Sequence, residues 1–304
     1  MERPVPTPPP RLAPASQGRS VAYDVHGDPT GPAVLYLHGV PSSRLEVHLF
    51  GLPAAAETVG VRLVALDRAG IGQSSPRRQG SLSSAATDVA AVADHLELDS
   101  FGLLGYSAGA PSALATATML CERARALTIV SGIGPGDRPD LADEQSPDVA
   151  RMFTLARKAP ALLSAGLRFM RYGTRNPARL VTAVAKSAPA PDARVLARPG
   201  ADAEFAAFLA EAFAQGVAGV RDDFRLAAGP WPFDLADLAM PVRLWHGEVD
   251  RNAPVAGARW LAGQLADAQL RTSDDGHASL IATHGQAILA DLVAASAGNV
   301  PAQP

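Results

Sequence analysis

A serine, an aspartate and a histidine stand in three separate parts of this 304-residue chain, each in a setting that suits nucleophilic catalysis. Ser107 is the centre of the pentapeptide Gly-Tyr-Ser-Ala-Gly, which begins at Gly105 and ends at Gly109. A serine hydroxyl is a poor nucleophile until a base accepts its proton, and the base needs a carboxylate that fixes its tautomer. His277 and Asp250 are our candidates for this base and this carboxylate. With their help, the Ser107 hydroxyl would attack a carbonyl carbon.

The sequence around Ser107 predicts a strand, a sharp turn and a helix. Residues 100–104 form a short apolar run that suits a buried strand, and residues 112–121 are rich in alanine, as in a helix. Such a turn holds the serine in a strained backbone conformation, so the residues two positions before and after it must be nearly free of side chains. Gly105 and Gly109 meet this requirement. The alternative is an ordinary serine in a glycine-rich turn, and the two later candidates argue against it.

Asp250 and His277 each follow a later predicted strand. Three other carboxylates could serve in place of Asp250, namely Glu248, Asp274 and Asp275. Asp274 and Asp275 come so soon before His277 that the chain has little room to bring either of them behind the imidazole ring. We therefore favour Asp250.

Strands and helices alternate along most of the chain. Predicted strands lie at residues 18–25, 33–37, 61–66, 100–104, 124–130, 241–245 and 269–272. This alternation indicates an α/β fold with a mainly parallel sheet and helices on both faces. Residues 134–229 interrupt it with helical patterns only, and such an excursion can lie over the carboxyl ends of the strands. We expect a disordered proline-rich leader (1–15), a core in two parts (16–133 and 230–298), a helical cap (134–229) and a flexible tail (299–304).

Composition argues against several classes of function. The formal net charge is −3 and no run of Lys and Arg stands out, so we expect no nucleic-acid partner. The single cysteine, Cys121, cannot form a disulfide framework and is expected in the core. No histidine and carboxylate set has metal-ligand spacing, and no dinucleotide fingerprint follows a strand, so we expect neither a metal nor another cofactor.

The targeting signals are equally sparse. No apolar run approaches the roughly 18 residues that span a bilayer, and residues 1–14 lack the apolar stretch of a secretory signal. We expect a cytoplasmic protein without membrane insertion, whose partner is a small-molecule substrate. The oligomeric state stays open.

From about residue 18 to residue 292 the chain resembles the serine-type α/β-hydrolases with a helical cap, a group that includes esterases, lipases and carbon–carbon bond hydrolases. The order Ser107, Asp250, His277 is typical of this family and differs from the orders in chymotrypsin and subtilisin. The resemblance also rests on four other segments: residues 38–41 (His-Gly-Val-Pro), 67–74, 246–250 and 276–277.

The resemblance implies an oxyanion hole made by the backbone N–H groups of Val40 and Ala108. Pro41 has no N–H to donate, in agreement with the use of Val40. His38 would support this loop and is a weaker alternative for the base. The resemblance further implies supporting glycines in the loop and at the nucleophile, which are Gly39, Gly105 and Gly109. Arg44, Glu46 and His48 either line the entrance to the pocket or begin a solvated helix.

These features predict a cofactor-independent serine hydrolase. It would cleave an ester-type bond (carboxylester, lactone or thioester) of a small, largely apolar substrate through an acyl-enzyme. One alternative is a carbon–carbon bond hydrolase that acts on diketone-like substrates with the same triad. A different class, a small-molecule receptor on this fold, is also open. Ser107 argues against haloalkane dehalogenases and epoxide hydrolases of this fold, which need a carboxylate at that position.

Overall fold

A computed structural model describes residues 9–299. Its eight strands form one sheet: β1 Arg11–Ala15, β2 Arg19–Gly27, β3 Ala33–Leu37, β4 Arg62–Leu66, β5 Phe101–Tyr106, β6 Ala124–Val130, β7 Val242–Gly247 and β8 Ala268–Ser273. The spatial order is β1-β2-β4-β3-β5-β6-β7-β8. β2 is antiparallel to both its neighbours, whereas all pairs from β4 to β8 are parallel. The predicted α/β class and mainly parallel sheet are confirmed.

In the described part of the chain, twelve α-helices accompany the sheet: α1 Glu46–Leu49, α2 Leu52–Val59, α3 Leu82–His95, α4 Ala110–Met119, α5 Pro147–Lys158, α6 Pro160–Gly173, α7 Pro177–Ser187, α8 Ala190–Leu196, α9 Ala201–Ala212, α10 Ala218–Ala227, α11 Val255–Gln264 and α12 His277–Gly298. The helices α2 and α12 share one apolar cluster with the sheet, and α3, α4 and α11 share the cluster on the opposite face. Every residue of the central strands β3 and β5 is buried, as expected for strands covered on both faces.

The connection between β6 and β7 holds the six helices α5 to α10. No strand occurs in its described residues, 131–241. Several of its apolar side chains, among them Leu163, Leu209 and Phe224, belong to the same apolar cluster as Tyr106 of β5 and Leu280 of α12. We call residues 131–241 the helical insertion. The apolar side of the helical insertion thus packs against the hydrophobic core on one face of the sheet.

Four sequence-based expectations need correction. Residues 11–15 of the expected disordered leader form β1, and Pro14 is tolerated there because β1 is an edge strand. The start of the leader, residues 1–8, lies outside the described residues, as do residues 300–304 of the expected tail. Asn299 is held in place, since its side-chain amide donates to the carbonyl of Arg125 at 2.8 Å.

Cys121 is exposed rather than in the core, because α4 ends before it. The sequence of residues 45–59 also suits one continuous helix, but the structure has α1 and α2 there, separated at Gly51, which has a φ of +67°.

α12 is long and apolar enough, by length and composition, to cross a membrane. In the fold it is a core helix. Its apolar face is completely buried at Leu280, Ile281, Ile288, Leu289 and Leu292.

Candidate active site

Ser107 lies at a sharp turn between β5 and α4. Its φ is +53°, a left-handed conformation that non-glycine residues rarely adopt. A Cβ on Gly109 would lie 2.2 Å from the carbonyl oxygen of Leu37, and a Cβ on Gly105 would lie 2.7 Å from the Cβ of Ala113. The glycines therefore allow α4 to approach the ends of β3 and β5, as the sequence pattern predicts for this turn.

Asp250 and His277 lie side by side in the loops after β7 and β8. One carboxylate oxygen of Asp250 is 2.8 Å from Nδ1 of His277. The other accepts the backbone N–H groups of Asn252 at 2.8 Å and Ala253 at 2.9 Å. The carboxylate is thus fixed by its own loop, and it keeps the Nδ1–H tautomer of His277, which leaves Nε2 free to accept a proton.

The buried pair has shifted pKa values. Burial opposes ionisation of Asp250, but the adjacent His277 and hydrogen bonds from His246 and His277 lower the pKa of the carboxyl below its ordinary value. For His277, burial opposes the charged form, but the charge of Asp250 and the hydrogen bond to it raise the pKa above 6.5. The Asp250 carboxylate is therefore ionised at neutral pH and stabilises a protonated imidazole.

Ser107 and His277 are close neighbours through Tyr106. The Tyr106 and His277 rings are 5.1 Å apart, and the Tyr106 hydroxyl donates to the His277 carbonyl at 3.4 Å. Ser107 and His277 are each 7% exposed, so both are almost completely buried. Within residues 9–299 no hydrogen bond joins Ser107 Oγ to the His277 ring. Catalytic hydrogen bonds of this kind are often long until substrate binds.

The loop after β3 carries the candidate oxyanion donors. Neither the N–H of Val40 nor that of Ala108 donates to a side chain or a loop carbonyl within residues 9–299. A Cβ on Gly39 would lie 3.3 Å from the Cβ of Ser107, so the loop runs directly past the serine. Two free N–H groups flanking a serine could bind a developing oxyanion.

His38 is part of the support for this loop. Its Nε2 accepts the backbone N–H of Arg68 at 3.2 Å, and its Nδ1 is 2.7 Å from the Gly39 carbonyl oxygen. These partners assign the Nδ1–H tautomer, which donates to that carbonyl. Burial and the nearby Arg68 cation lower the pKa of His38 well below 6.5, so the ring is neutral. With both nitrogens in use, His38 has none free to act as the base for Ser107.

Glu46 also binds the loop. It is 2% exposed, and one carboxylate oxygen accepts the N–H of Gly39 at 2.8 Å and the hydroxyl of Tyr36 at 2.7 Å. Its other oxygen accepts the Ser42 hydroxyl. Burial raises the pKa of Glu46. The expected pocket entrance or solvated helix start is therefore wrong for Glu46, which is a buried part of the loop.

Arg44, a neighbour of Glu46 in the chain, is also buried. It bonds to Asp67 at 2.6 Å and to Asp24 at 2.8 Å. It also bonds at 2.5 Å to Glu211, which lies on α9 of the helical insertion. This cluster joins the insertion to the loops after β3 and β4.

Of the three alternative acids, Asp274 is exposed, and Glu248 and Asp275 have other partners. Glu248 pairs with Arg259 at 2.7 Å. Asp275 accepts from the Ser273 hydroxyl at 2.7 Å and lies 3.0 Å from Nε2 of His284. His246 Nε2 donates to the Ala253 carbonyl at 2.6 Å and lies 3.4 Å from Asp250, so it helps to hold the loop of the acid.

Sequence reasoning missed three site residues: Arg68, Asp192 and Asp223. Arg68 bonds to the carbonyls of His38 and Gly39 and to the Asp223 carboxylate. Asp192 accepts the backbone N–H of His277 at 2.9 Å. Only Arg68 had a signal in the sequence, because it lies in the glycine-containing loop 67–74 after a predicted strand.

A cavity of about 140 Å³ lies between the helical insertion and residues 253–254 of the loop that carries Asp250. It includes Ile133, whose N–H donates to the Ser107 carbonyl, and Ala253, which binds Asp250. Apolar side chains of Leu141 and Phe153 contribute from the insertion. Within residues 9–299, no group of three or more His, Cys, Asp or Glu side chains could hold a metal ion.

Comparison with known proteins gives a consistent family. A family model described as the alpha/beta hydrolase fold matches residues 32–283. An uncharacterised hydrolase of Bacillus subtilis is 32% identical over 116 residues, which are 38% of this chain and 39% of that protein. The matched segment thus spans less than half of that relative's length.

Two solved structures are similar over nearly the whole chain. An esterase from Rhodococcus sp., RhEst1, has a TM-score of 0.69 at 18% identity, with 96% of this chain and 99% of that chain covered. A thermophilic esterase from Thermogutta terrifontis has a TM-score of 0.67 at 19% identity, with the same coverage. At these identities the likeness concerns the fold. With the family match across most of its length, the chain belongs to the α/β-hydrolase fold family.

Proposed function

We propose that the protein is a cofactor-independent serine hydrolase that cleaves an ester-type bond through an acyl-enzyme. The observation that carries the proposal is the 2.8 Å contact between Asp250 and His277 next to a serine held at a φ of +53°. A serine in a strained backbone conformation beside an imidazole that a carboxylate orients is the arrangement that activates a hydroxyl.

In the first half of the reaction, Nε2 of His277 accepts the proton of Ser107 while Oγ attacks the carbonyl carbon. The carbonyl oxygen becomes an oxyanion, which the N–H groups of Val40 and Ala108 stabilise. The tetrahedral intermediate then collapses. The bond to the leaving oxygen breaks, and His277 returns the proton to the departing alcohol.

In the second half, His277 accepts a proton from water, and the resulting hydroxide attacks the acyl carbon. Collapse of the second intermediate returns the proton to Ser107 Oγ and releases the acid. Asp250 stays ionised throughout and stabilises the imidazolium that forms twice in the cycle, as its lowered pKa supports.

The proposed substrate is small and largely apolar. Ile133, Leu141 and Phe153 give the cavity near the site an apolar part, and Arg138 and Arg157 also line it. We propose that the helical insertion acts as a cap over the site and supplies this apolar part. A Leu141→Trp variant should then lower turnover of larger acyl esters more than that of acetyl esters.

The test is turnover on a panel of carboxylesters, lactones, thioesters and vinylogous diketones with wild type and Ser107→Ala. We expect ester-type hydrolysis that falls in the variant by several orders of magnitude, to the residual rate that binding and oxyanion stabilisation alone supply. Full turnover by Ser107→Ala would contradict the mechanism. Cleavage of diketones alone would assign carbon–carbon bond hydrolysis, and an absence of all turnover would favour a receptor.

A further inference from the structure

The helix α12 begins at His277 and receives its N-terminal cap from a distant part of the chain. Gly276, the residue before the helix, has no side chain to bind the first N–H groups. The carboxylate of Asp192 takes that place: one oxygen accepts the N–H of His277 at 2.9 Å. The other accepts those of Ala278 at 3.0 Å and Ser279 at 2.8 Å. Three N–H groups that a helix start leaves without partners are thus satisfied by one side chain.

Asp192 lies on α8 of the helical insertion, 85 residues before His277. It is 5% exposed, and no arginine, lysine or histidine within the described residues pairs with its carboxylate. A buried carboxylate needs compensation, and here the partial positive charge at the start of α12 supplies it. The contact therefore stabilises both the buried Asp192 carboxylate and the start of α12.

The Asp192 carboxylate lies so close to the backbone at position 276 that only glycine leaves enough space there. A Cβ on Gly276 would lie 2.5 Å from one carboxylate oxygen of Asp192 and 2.6 Å from the other. Because Gly276 has no Cβ, the Asp192 carboxylate can occupy this space.

The backbone of His277 is held from both ends. Its N–H binds Asp192, and its carbonyl oxygen accepts the hydroxyls of Ser131 at 3.2 Å and Tyr106 at 3.4 Å. Its ring is held by Asp250 at 2.8 Å. Of these partners, Asp192 lies on a helix of the insertion, and Ser131 is the insertion's first residue, directly after β6.

We propose that Asp192 is a positioning residue for His277, by which the helical insertion fixes the start of α12 and so the place of the imidazole relative to Ser107. The inference rests on the proposed function, since it assigns Asp192 a part in that same reaction. On this account the insertion completes the catalytic arrangement in addition to covering the substrate. Misplacement of a catalytic group by about 1 Å can reduce the rate by about a hundredfold.

The charge of Asp192 gives a second readout. The titratable groups that face His277 are Asp250, Asp192, Glu46, Tyr106 and, behind Asp250, His246. Asp192 and Glu46 raise the pKa of His277 in addition to the larger effect of Asp250. Tyr106 is neutral, because burial raises the pKa of its hydroxyl well above 10. Loss of the Asp192 charge should therefore lower the pKa of His277.

The experiment compares Asp192→Ala and Asp192→Asn with wild type. Asp234→Asn is the matched control, because Asp234 also accepts a backbone N–H at the start of a short helix, but at an exposed position. We measure kcat and KM on an ester, the pKa of the His277 ring by NMR of histidine-labelled protein, and thermal unfolding.

We expect Asp192→Ala to lower kcat by about tenfold to a hundredfold with a smaller change in KM. Asp192→Asn keeps one oxygen that can accept the N–H groups, so its kcat should fall less than that of Asp192→Ala. Both should lower the pKa of His277, and the control should change neither quantity. If Asp192→Ala does not fold, Asp192→Asn alone decides.

An unchanged kcat together with an unchanged pKa of His277 in folded Asp192→Asn would overturn the proposal. A lower stability with both quantities unchanged would assign Asp192 a structural part only, and would overturn it as well. The NMR titration needs no substrate. If wild type hydrolyses nothing, the proposed function fails, while the effect of Asp192 on His277 is still measured.

Discussion

The guanidinium of Arg68 joins the carboxylate of Asp223 to the loop that runs past Ser107. Its Nε and Nη2 donate to the two oxygens of Asp223 at 2.8 and 2.5 Å. On its other side it donates to the carbonyls of Gly39, at 2.9 Å, and His38. Asp223 belongs to α10, so a buried ion pair connects the helical insertion to the loop that carries Val40.

An Arg68→Lys variant should weaken oxyanion stabilisation. Lysine keeps the charge but cannot bind two carbonyls and both carboxylate oxygens at once. We expect kcat on an ester to fall by about tenfold to a hundredfold, because the Val40 N–H loses its fixed direction. Steady-state kinetics measure this effect. Arg225→Lys, at an exposed position on α10, is the control. An unchanged kcat in Arg68→Lys would show that the loop is held without the arginine.

The proposed catalytic residues stand out in the sequence because each follows a local pattern. Ser107 lies between two glycines, and Asp250 and His277 each follow a predicted strand. Their partners could not be predicted. Asp192 and Asp223 bind residues 85 and 155 positions away, and nothing near them in the sequence marks those contacts.

The fold was predictable to a similar degree. Apolar runs or alternating patterns predict seven of the strands, but β1 contains Pro14 and adjoins a proline-rich stretch, which is typical of a chain without regular structure. Pairing with β2 holds β1 in an extended conformation that its local sequence does not favour. The six helices of the insertion follow helical periodicity only in part, and α8 and α10 are short or polar on one side.

Replacement of Gly109 by alanine should destabilise the fold. A Cβ there would lie 2.2 Å from the Leu37 carbonyl oxygen and 2.6 Å from that of His38, both of which are backbone atoms with little freedom to move. We expect a loss of about 1–3 kcal/mol in the free energy of unfolding, measured by urea denaturation.

The matched control is Gly263→Ala in α11, where an added Cβ would meet no atom within 4 Å. This variant should gain about 0.5–1 kcal/mol, because alanine favours a helix interior over glycine. Equal stability of the two variants would mean that the approach of α4 to β3 is looser than described.

The pH dependence of kcat/KM should report on His277. The imidazole acts as a base only when neutral, and the neighbouring Asp250 raises its pKa above 6.5. Activity should therefore rise with pH, with a midpoint above 6.5. A pH profile of kcat/KM on an ester measures it. A midpoint at or below 6.5 would show that burial outweighs the carboxylate.

Stability should fall on acidification because of His38. Its folded-state pKa is well below 6.5, so the unfolded chain binds a proton that the folded chain does not. The contribution of the neutral ring is present above pH 6.5 and is lost as the pH falls below that value. The His38→Asn variant should show a weaker decrease of the unfolding free energy below pH 6.5 than wild type. Parallel curves for the two proteins would contradict this assignment.

The most direct test of the account is the site of covalent labelling by a fluorophosphonate. Intact-mass spectrometry followed by peptide mapping identifies the modified residue. We expect rapid, stoichiometric labelling of wild type at Ser107, slow labelling of His277→Ala and none of Ser107→Ala, because the hydroxyl reacts rapidly only when an imidazole accepts its proton. Folded wild-type protein that stays unlabelled, or that carries the label at another residue, would contradict the claim that Ser107 is an activated nucleophile.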